Sequence, residues 1–185
     1  MVFVYGDYLY LHSSKPAFEL RDRFIGQMVS HKNAFIKLLL RDKRWINKAF
    51  SFATFGQLVI NNSNVYQQGL EAVQKMYKTD KTFINYVQDD CSDTGHQVGD
   101  REVNFILEEI TMLYLTQKGV FGLGNNFVTD TEVKWILQVY PGKPLKSEIY
   151  LFQKNPLKLS NPKNQYENSY YDLEEQVLYD YLKEG

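Results

Sequence analysis

The sequence predicts a single α/β domain, and three observations carry that prediction. Short runs of β-branched and aromatic residues stopped by turn residues lie toward both ends of the chain, at Val2 to Tyr5 and Trp135 to Tyr140. Between them, apolar residues recur at helical spacing over most of the chain. The length of 185 residues, 44% of them hydrophobic, is enough to bury one sizeable core and short for two ordinary domains.

Taken in order, Val2 to Tyr5 reads as a strand ended by Gly6-Asp7, and Tyr8 to Leu11 repeats the pattern. Ser13, Ser14 and Pro16 form a loop and helix start. Phe18 to about Phe50 is helical, expected as two helices parted around Ser30 to Asn33. Phe52 to Ile60 is a short strand or turn, and Asn62-Ser63 cap a helix whose inner positions are Tyr66, Leu70, Val73 and Tyr77. Asp80 caps the next, with Phe83, Ile84, Val87 and Cys91 inward; Ser92 to Gly99 is a loop, and Asp100 caps a helix ending near Gln117. Trp135 to Tyr140 and Glu148 to Phe152 flank Pro141-Gly-Lys-Pro144 and read as two strands with a tight connection. Residues 1–155 therefore form the domain, and 156–185 a polar linker with an acidic C-terminal helix, Asp172 to Leu182.

Composition excludes several classes. One cysteine, Cys91, permits no internal disulfide. Met1 to Asp7 lacks a basic n-region, and no run approaches the ~18 apolar residues of a membrane span, so the expected location is the cytoplasm with no membrane partner. His12, His31 and His96 are scattered, and Cys91 with His96 has no second pair to complete a metal site, so no metal is expected. Gly119, Gly122 and Gly124 follow a helix instead of joining a strand to one, which leaves no nucleotide-phosphate fingerprint; no cofactor is expected.

The net charge of -1 places any polyanion signal in how charge is distributed. Lys37, Arg41, Arg44 and Lys48 are spaced by four, three and four residues, so at ~100° per residue they fall in a narrow arc of one helix face. Phe35, Leu39, Ile46 and Phe50 fall almost opposite, and Asp42 is the only acid between residues 31 and 48. A merely solvated face tends to carry acidic partners at i,i+4. A stripe without them suits a nucleic-acid backbone, whose phosphates exchange counterions for Lys and Arg. The internal alternative is the segment Glu167 to Glu184, whose six acids and one lysine offer the stripe a partner within the chain.

On the helix after Asp100, Val103, Ile106, Leu107, Ile110 and Leu113 make a core face, while Phe105, Glu109 and Met112 share a neighbouring face at i, i+4, i+7. A carboxyl set between apolar neighbours has a raised pKa, which is what proton transfer near neutral pH requires. Glu108 points elsewhere and reads as solvent-facing. A Glu at the edge of a helix face is also a common salt-bridging surface residue.

The segment Val103-Asn-Phe-Ile-Leu-Glu-Glu109-Ile-Thr-Met-Leu-Tyr-Leu, followed by Lys118-Gly-Val-Phe-Gly122, resembles the catalytic helix and following turn of the tRNA-dependent cyclodipeptide synthases. Phe50-Ser-Phe-Ala-Thr-Phe-Gly-Gln-Leu58, Tyr66, then Tyr77-Lys-Thr-Asp80 with Phe83 and Cys91 is similar to the helical run ahead of that motif. The resemblance spans roughly residues 30–130 and implies a Rossmann-like three-layer domain related to the catalytic domain of class I aminoacyl-tRNA synthetases. It implies aminoacyl-tRNA as the substrate, aminoacyl transfer through an acyl-serine, and release of a cyclic dipeptide. Glu109 takes the place of the family's catalytic glutamate, which binds the substrate amino group and assists proton transfer. Phe105 and Met112 would line the substrate pocket, and Lys37, Arg41, Arg44 and Lys48 fall where the family has its tRNA-binding helix.

The sequence departs from the family pattern at three places. Phe105 replaces a family tyrosine, and a second tyrosine falls near Asp130 with Tyr140 out of register. No Gly-x-Ser loop precedes the basic helix; Ser13 and Ser14 are the only serines in the N-terminal loop, as expected of a shortened or divergent member. Two readings follow: a divergent cyclodipeptide synthase, or a relative that binds tRNA or RNA and has lost acyl transfer. A protein-interaction module with no RNA partner is the third.

Overall fold

A computed structural model describes residues 2–5, 18–41, 43, 51–93, 98–121, 136–140 and 142–184 of the chain. These form a helix-rich α/β protein in two compact units, Met1–Asn61 and Asn62–Gly185.

In the first unit, β1 (Val2–Tyr5) pairs in parallel with β2 (Ser51–Thr54), Val2 lying opposite Ser51 and Tyr5 opposite Thr54. Parallel strands need a long crossover, and α1 (Phe18–Arg41) occupies it. Two helices were expected here, but α1 runs unbroken through Ser30 and Asn33. Neither Gly nor Pro interrupts Ser30-His31-Lys32-Asn33, and the short polar residues Ser30 and Asn33 face solvent, where their lower helix propensity costs only tenths of a kcal/mol. The helix ends at Arg41 and Lys43 lies in a turn; residues 44–50 of the helical stretch expected to continue to Phe50 lie outside the described residues. Directly after β2, α2 (Phe55–Asn61) opens with a reciprocal cap: Gln57 N–H donates to Thr54 Oγ1 at 3.2 Å, and Thr54 N–H to Gln57 Oε1 at 3.0 Å.

The second unit packs α3 (Ser63–Thr79), α4 (Lys81–Asp93), α5 (Asp100–Gln117) and α6 (Lys146–Lys154) with a three-stranded sheet, β3 (Gln138–Tyr140), β4 (Ser169–Asp172) and β5 (Val177–Asp180). β3 and β4 run parallel, β4 and β5 antiparallel. The expected cap at Asp80 is present: its Oδ1 accepts from Thr82 N–H at 3.0 Å and Phe83 N–H at 3.2 Å. Leu70 and Val73 on α3, and Phe83, Val87 and Cys91 on α4, are buried as their spacing predicts. At Gly69 the two helices α3 and α5 approach so closely that a Cβ would stand 2.7 Å from Leu115 Cδ1 and 3.2 Å from Thr111 Cγ2.

Two elements differ from expectation. Residues 148–152 are not a strand but the middle of α6, with Ser147, Glu148, Leu151 and Phe152 buried at i, i+1, i+4, i+5. The run of aromatic and β-branched residues mimics a strand; the deciding feature is remote, because Asp90 of α4 accepts from the first two α6 amides, Lys146 N–H at 3.0 Å and Ser147 N–H at 2.9 Å. The acidic C-terminal segment is not a helix from Asp172 to Leu182 but the β4–β5 hairpin, in which Tyr170 and Asp172 are buried and Ser169 and Tyr171 half-buried. Glu174 and Glu175, which make the segment look helical, sit in its turn, closed by Gln176 at a φ of 57°.

Two substitutions test this packing in urea unfolding. Asp90→Ala leaves the α6 amides without their acceptor and is expected to cost about 1–2 kcal/mol. Gly69→Val forces α3 off Leu115, expected cost about 1–3 kcal/mol; no loss of stability would mean that α3 and α5 pack less tightly than described.

Candidate functional site

α5 is enclosed on most of its circumference: Val103, Ile106, Leu107, Ile110, Met112, Tyr114 and Leu115 are all buried. Leu113, expected in the core, is half-buried, and Tyr114 and Leu115 take that place. Nearly all-round burial puts polar side chains of the helix into dry surroundings, where each must find a partner or change its charge state.

Glu109 is the first consequence. Part of the residue is open to solvent, but its carboxyl is enclosed well enough that burial alone pushes its pKa up to about 7. Phe105 is half-buried and Met112 fully buried on the adjacent turns of the same helix, so the structure keeps the three on α5 as the spacing predicts. Glu108, expected to face solvent, is half-buried, and its charge together with burial raises the Tyr66 phenol above its ordinary range.

Sequence reasoning passed over a second carboxyl. Glu148 on α6 is 1% exposed and accepts a hydrogen bond from Tyr181 Oη at 2.7 Å. Its pKa rises to about 8, first through burial and then through the charge of Glu109, against the hydrogen bonds of Tyr181 and Gln138. Tyr181, just past β5, is itself fully buried, with its ring 4.6 Å from that of Phe152. Tyr170 of β4 donates to Gly142 O at 2.7 Å and lies within electrostatic reach of both carboxyls, which raise its pKa further beyond the effect of burial. The result is an acidic cluster built by α5, α6 and the C-terminal hairpin. Among the described residues no ion pair reaches Glu109 or Glu148. The misread strand at 148–152 concealed it, because only as a helix does that segment place Glu148 inward beside Ser147 and Leu151.

The residues predicted to meet tRNA belong to the first unit. Lys37 and Arg41 are exposed on the last turns of α1, four residues apart, with Leu39 buried at 7% exposure and Phe35 half-buried. Arg44 and Lys48 lie outside the described residues, as do Ser13, Ser14, Asp130, His12 and His96. Three of the six acids proposed as an internal partner for this stripe pair with cations in the second unit: Glu167 with Lys118 at 2.7 Å, Asp180 with Lys183 at 2.8 Å and Glu175 with Lys143 at 3.7 Å. A cleft of about 340 Å³ between α3 and α5, lined by Gln74, Tyr77, Lys78, Asp100, Val103, Asn104 and Leu107, opens on the side of α5 turned away from Glu109. Among the described residues no three His, Cys, Asp or Glu side chains are placed to hold a metal, and no helix is long and apolar enough to cross a membrane.

Neither family models nor curated proteins match the sequence. Among solved structures, the chain is similar to a CDPS, a cyclodipeptide synthase, from Fluoribacter dumoffii, at a TM-score of 0.54 and 16% sequence identity, over 83% of this chain and 67% of that one. At that identity the likeness is one of fold, and the chain shares the fold of a cyclodipeptide synthase.

Proposed function

We propose that this chain works on aminoacyl-tRNA as a cyclodipeptide synthase-like aminoacyltransferase, with Glu109 as the group that takes the substrate's amine. The observation that carries the reading is a carboxyl enclosed on a central helix and held at a pKa of about 7, in a chain with the fold of a cyclodipeptide synthase. A carboxyl poised there binds an ammonium while ionised and takes its proton when the amine must become a nucleophile. Met112 and Phe105 supply the apolar wall beside it. The parallel β1–β2 pair joined through α1 supports a Rossmann-like reading of the first unit. Lys37 and Arg41, exposed at the end of α1, offer the tRNA backbone its contacts, with Arg44 and Lys48 following in the chain.

A second reading, a relative that binds tRNA without acyl transfer, rests on Phe105. That position carries no hydroxyl, so the hydrogen bond a tyrosine would give there is missing.

Mass spectrometry of medium from bacteria expressing the chain separates the two. A cyclic dipeptide from the parent that falls roughly 100-fold or more in Glu109→Gln supports the enzyme; no product from either, with both folded, supports the binding protein. Filter binding of tRNA across a salt series tests the stripe. Lys37→Ala with Arg41→Ala and Arg44→Ala is expected to weaken binding and to lower the salt slope by about 0.7–0.9 for each phosphate that is no longer neutralised. An unchanged slope would remove these residues from the RNA-binding surface.

A further inference from the structure

The hydroxyl of Tyr181 stands between two acceptor oxygens and has one hydrogen to give. Its Oη lies 2.7 Å from Glu148 Oε1 and 3.3 Å from Gln138 Oε1. Gln138 also hydrogen-bonds to the Glu148 carboxyl, so α6, β3 and the residue after β5 meet in a closed ring of three side chains. Three contacts need three hydrogens, of which Tyr181 supplies one and the Gln138 amide another. Turning the amide over, so that its Nε2 faces Tyr181, does not change the count, because Gln138 Oε1 then faces the carboxylate. In both arrangements the third hydrogen has to come from Glu148. In the first, it reverses the 2.7 Å bond: the carboxyl donates to Tyr181, and Tyr181 donates to Gln138.

The three groups are held where they meet. Glu148 is 1% exposed and Tyr181 fully buried, its ring 4.6 Å from that of Phe152. The Tyr181 backbone is tied on both sides, its N–H donating to Asn168 O at 2.8 Å and its carbonyl accepting from Gln153 Nε2 at 2.8 Å. We propose that Glu148 is a protonated acid in the native protein, and that its proton closes this ring and fastens the end of the C-terminal hairpin to α6 and β3, so that the hairpin loosens in alkaline solution. When the proton leaves for solvent, the O–H bond breaks with its electron pair left on oxygen. One contact of the ring then has no hydrogen, and a buried charge is left without a cation.

The groups facing Glu148 favour the protonated form. Burial, then the negative charges of Glu109 on α5 and Asp90 on α4, raise its pKa to about 8 against the hydrogen bonds of Tyr181 and Gln138. Tyr170 from β4 and Tyr181 after β5 bring hydroxyls whose ionisation is suppressed by burial. Two neighbouring cations are engaged with acids of their own, Lys118 with Glu167 at 2.7 Å and Lys146 with Asp89 at 3.1 Å.

Infrared spectra of the whole chain test where the proton lies, since a protonated carboxyl and a carboxylate absorb at different frequencies. Glu109→Gln first removes the enclosed carboxyl of α5. At about pH 6 that variant is expected to keep a protonated-carboxyl band, part of which disappears when Glu148→Gln is added; a band that does not change overturns the proposal. Hydrogen exchange of the β4–β5 amides tests the fastening. A carboxyl whose pKa is higher in the closed form stabilises that form fully below about 4.5, and the stabilisation is lost as pH rises through about 8. The opening constant of the hairpin, corrected for intrinsic exchange, is therefore expected to rise by up to about tenfold per pH unit in that window. Glu148→Gln, whose amide supplies the third hydrogen at every pH, is expected to flatten the rise; equal slopes in parent and variant overturn the proposal. Tyr181→Phe removes the hydroxyl at which two contacts meet and is expected to open the hairpin more readily at about pH 5, about 5-fold or more; opening as rare as in the parent likewise overturns it. Neither measurement uses tRNA or product, so both are independent of whether the chain transfers aminoacyl groups.

Discussion

The burial of α5 on nearly all sides is the constraint from which most of the second unit follows. An all-apolar helix would meet it without help, but α5 and its exit carry Thr111, Tyr114, Gln117 and Lys118 inside the protein. Thr111 returns its hydroxyl to Leu107 O at 2.6 Å. The others need partners from elsewhere, and the segment after α6 supplies them. Tyr114 donates to Asn155; Gln117 Nε2 donates to Ser169 O at 2.6 Å; Lys118 Nζ reaches Glu167 Oε1 and Asn168 Oδ1, both at 2.7 Å. Asn164, 5% exposed, joins three segments at once by donating to Gln117 O at 3.1 Å and Ile136 O at 3.0 Å while accepting from Ile136 N–H at 2.9 Å. A buried polar group left unmatched costs about 1–3 kcal/mol, so these bonds determine where residues 155–181 must run.

The same enclosure creates the candidate site. Where α6 meets α5 and the hairpin, Glu148 stands beside aromatic rings, with Phe152 edge-on to Tyr114 at 5.5 Å and tilted against Tyr181 at 4.6 Å. The low polarisability of such a wall raises carboxyl pKa values without any catalytic cation or helix terminus. The residues that close the core are thus the ones that raise the carboxyl pKa values.

Much of the helical half was legible because its signals are local. Asp80 caps α4 from the adjoining position, and Leu70, Val73, Phe83, Val87 and Cys91 mark their buried faces by spacing alone. The setting of Glu109 between Phe105 and Met112 was legible from spacing, while the role proposed for it came from the resemblance. The resemblance to cyclodipeptide synthases agrees with the fold likeness, although the sequence itself matches no family model. What escaped depends on distant residues. α6 begins where Asp90, more than fifty positions earlier, supplies its cap. The hairpin alternates around Tyr170 and Asp172 while its acidic turn imitates a helix, and the Thr54–Gln57 cap was hidden in a stretch read as strand or turn. Glu148 escaped with α6, since a residue's role is unreadable when its element is misassigned.

The reliance of α5 on residues that follow it by roughly 40 to 60 positions has a bearing on how the protein is made. As the chain emerges from the ribosome, α3 and α4 find each other through near neighbours, but Tyr114, Gln117 and Lys118 stay unmatched until Asn155, Glu167 and Ser169 are outside the exit tunnel. During that interval the most apolar helix of the unit has no complete shelter. The nascent protein therefore passes through a stage in which a chaperone or an aggregation partner competes with its own C-terminal hairpin for the same surface.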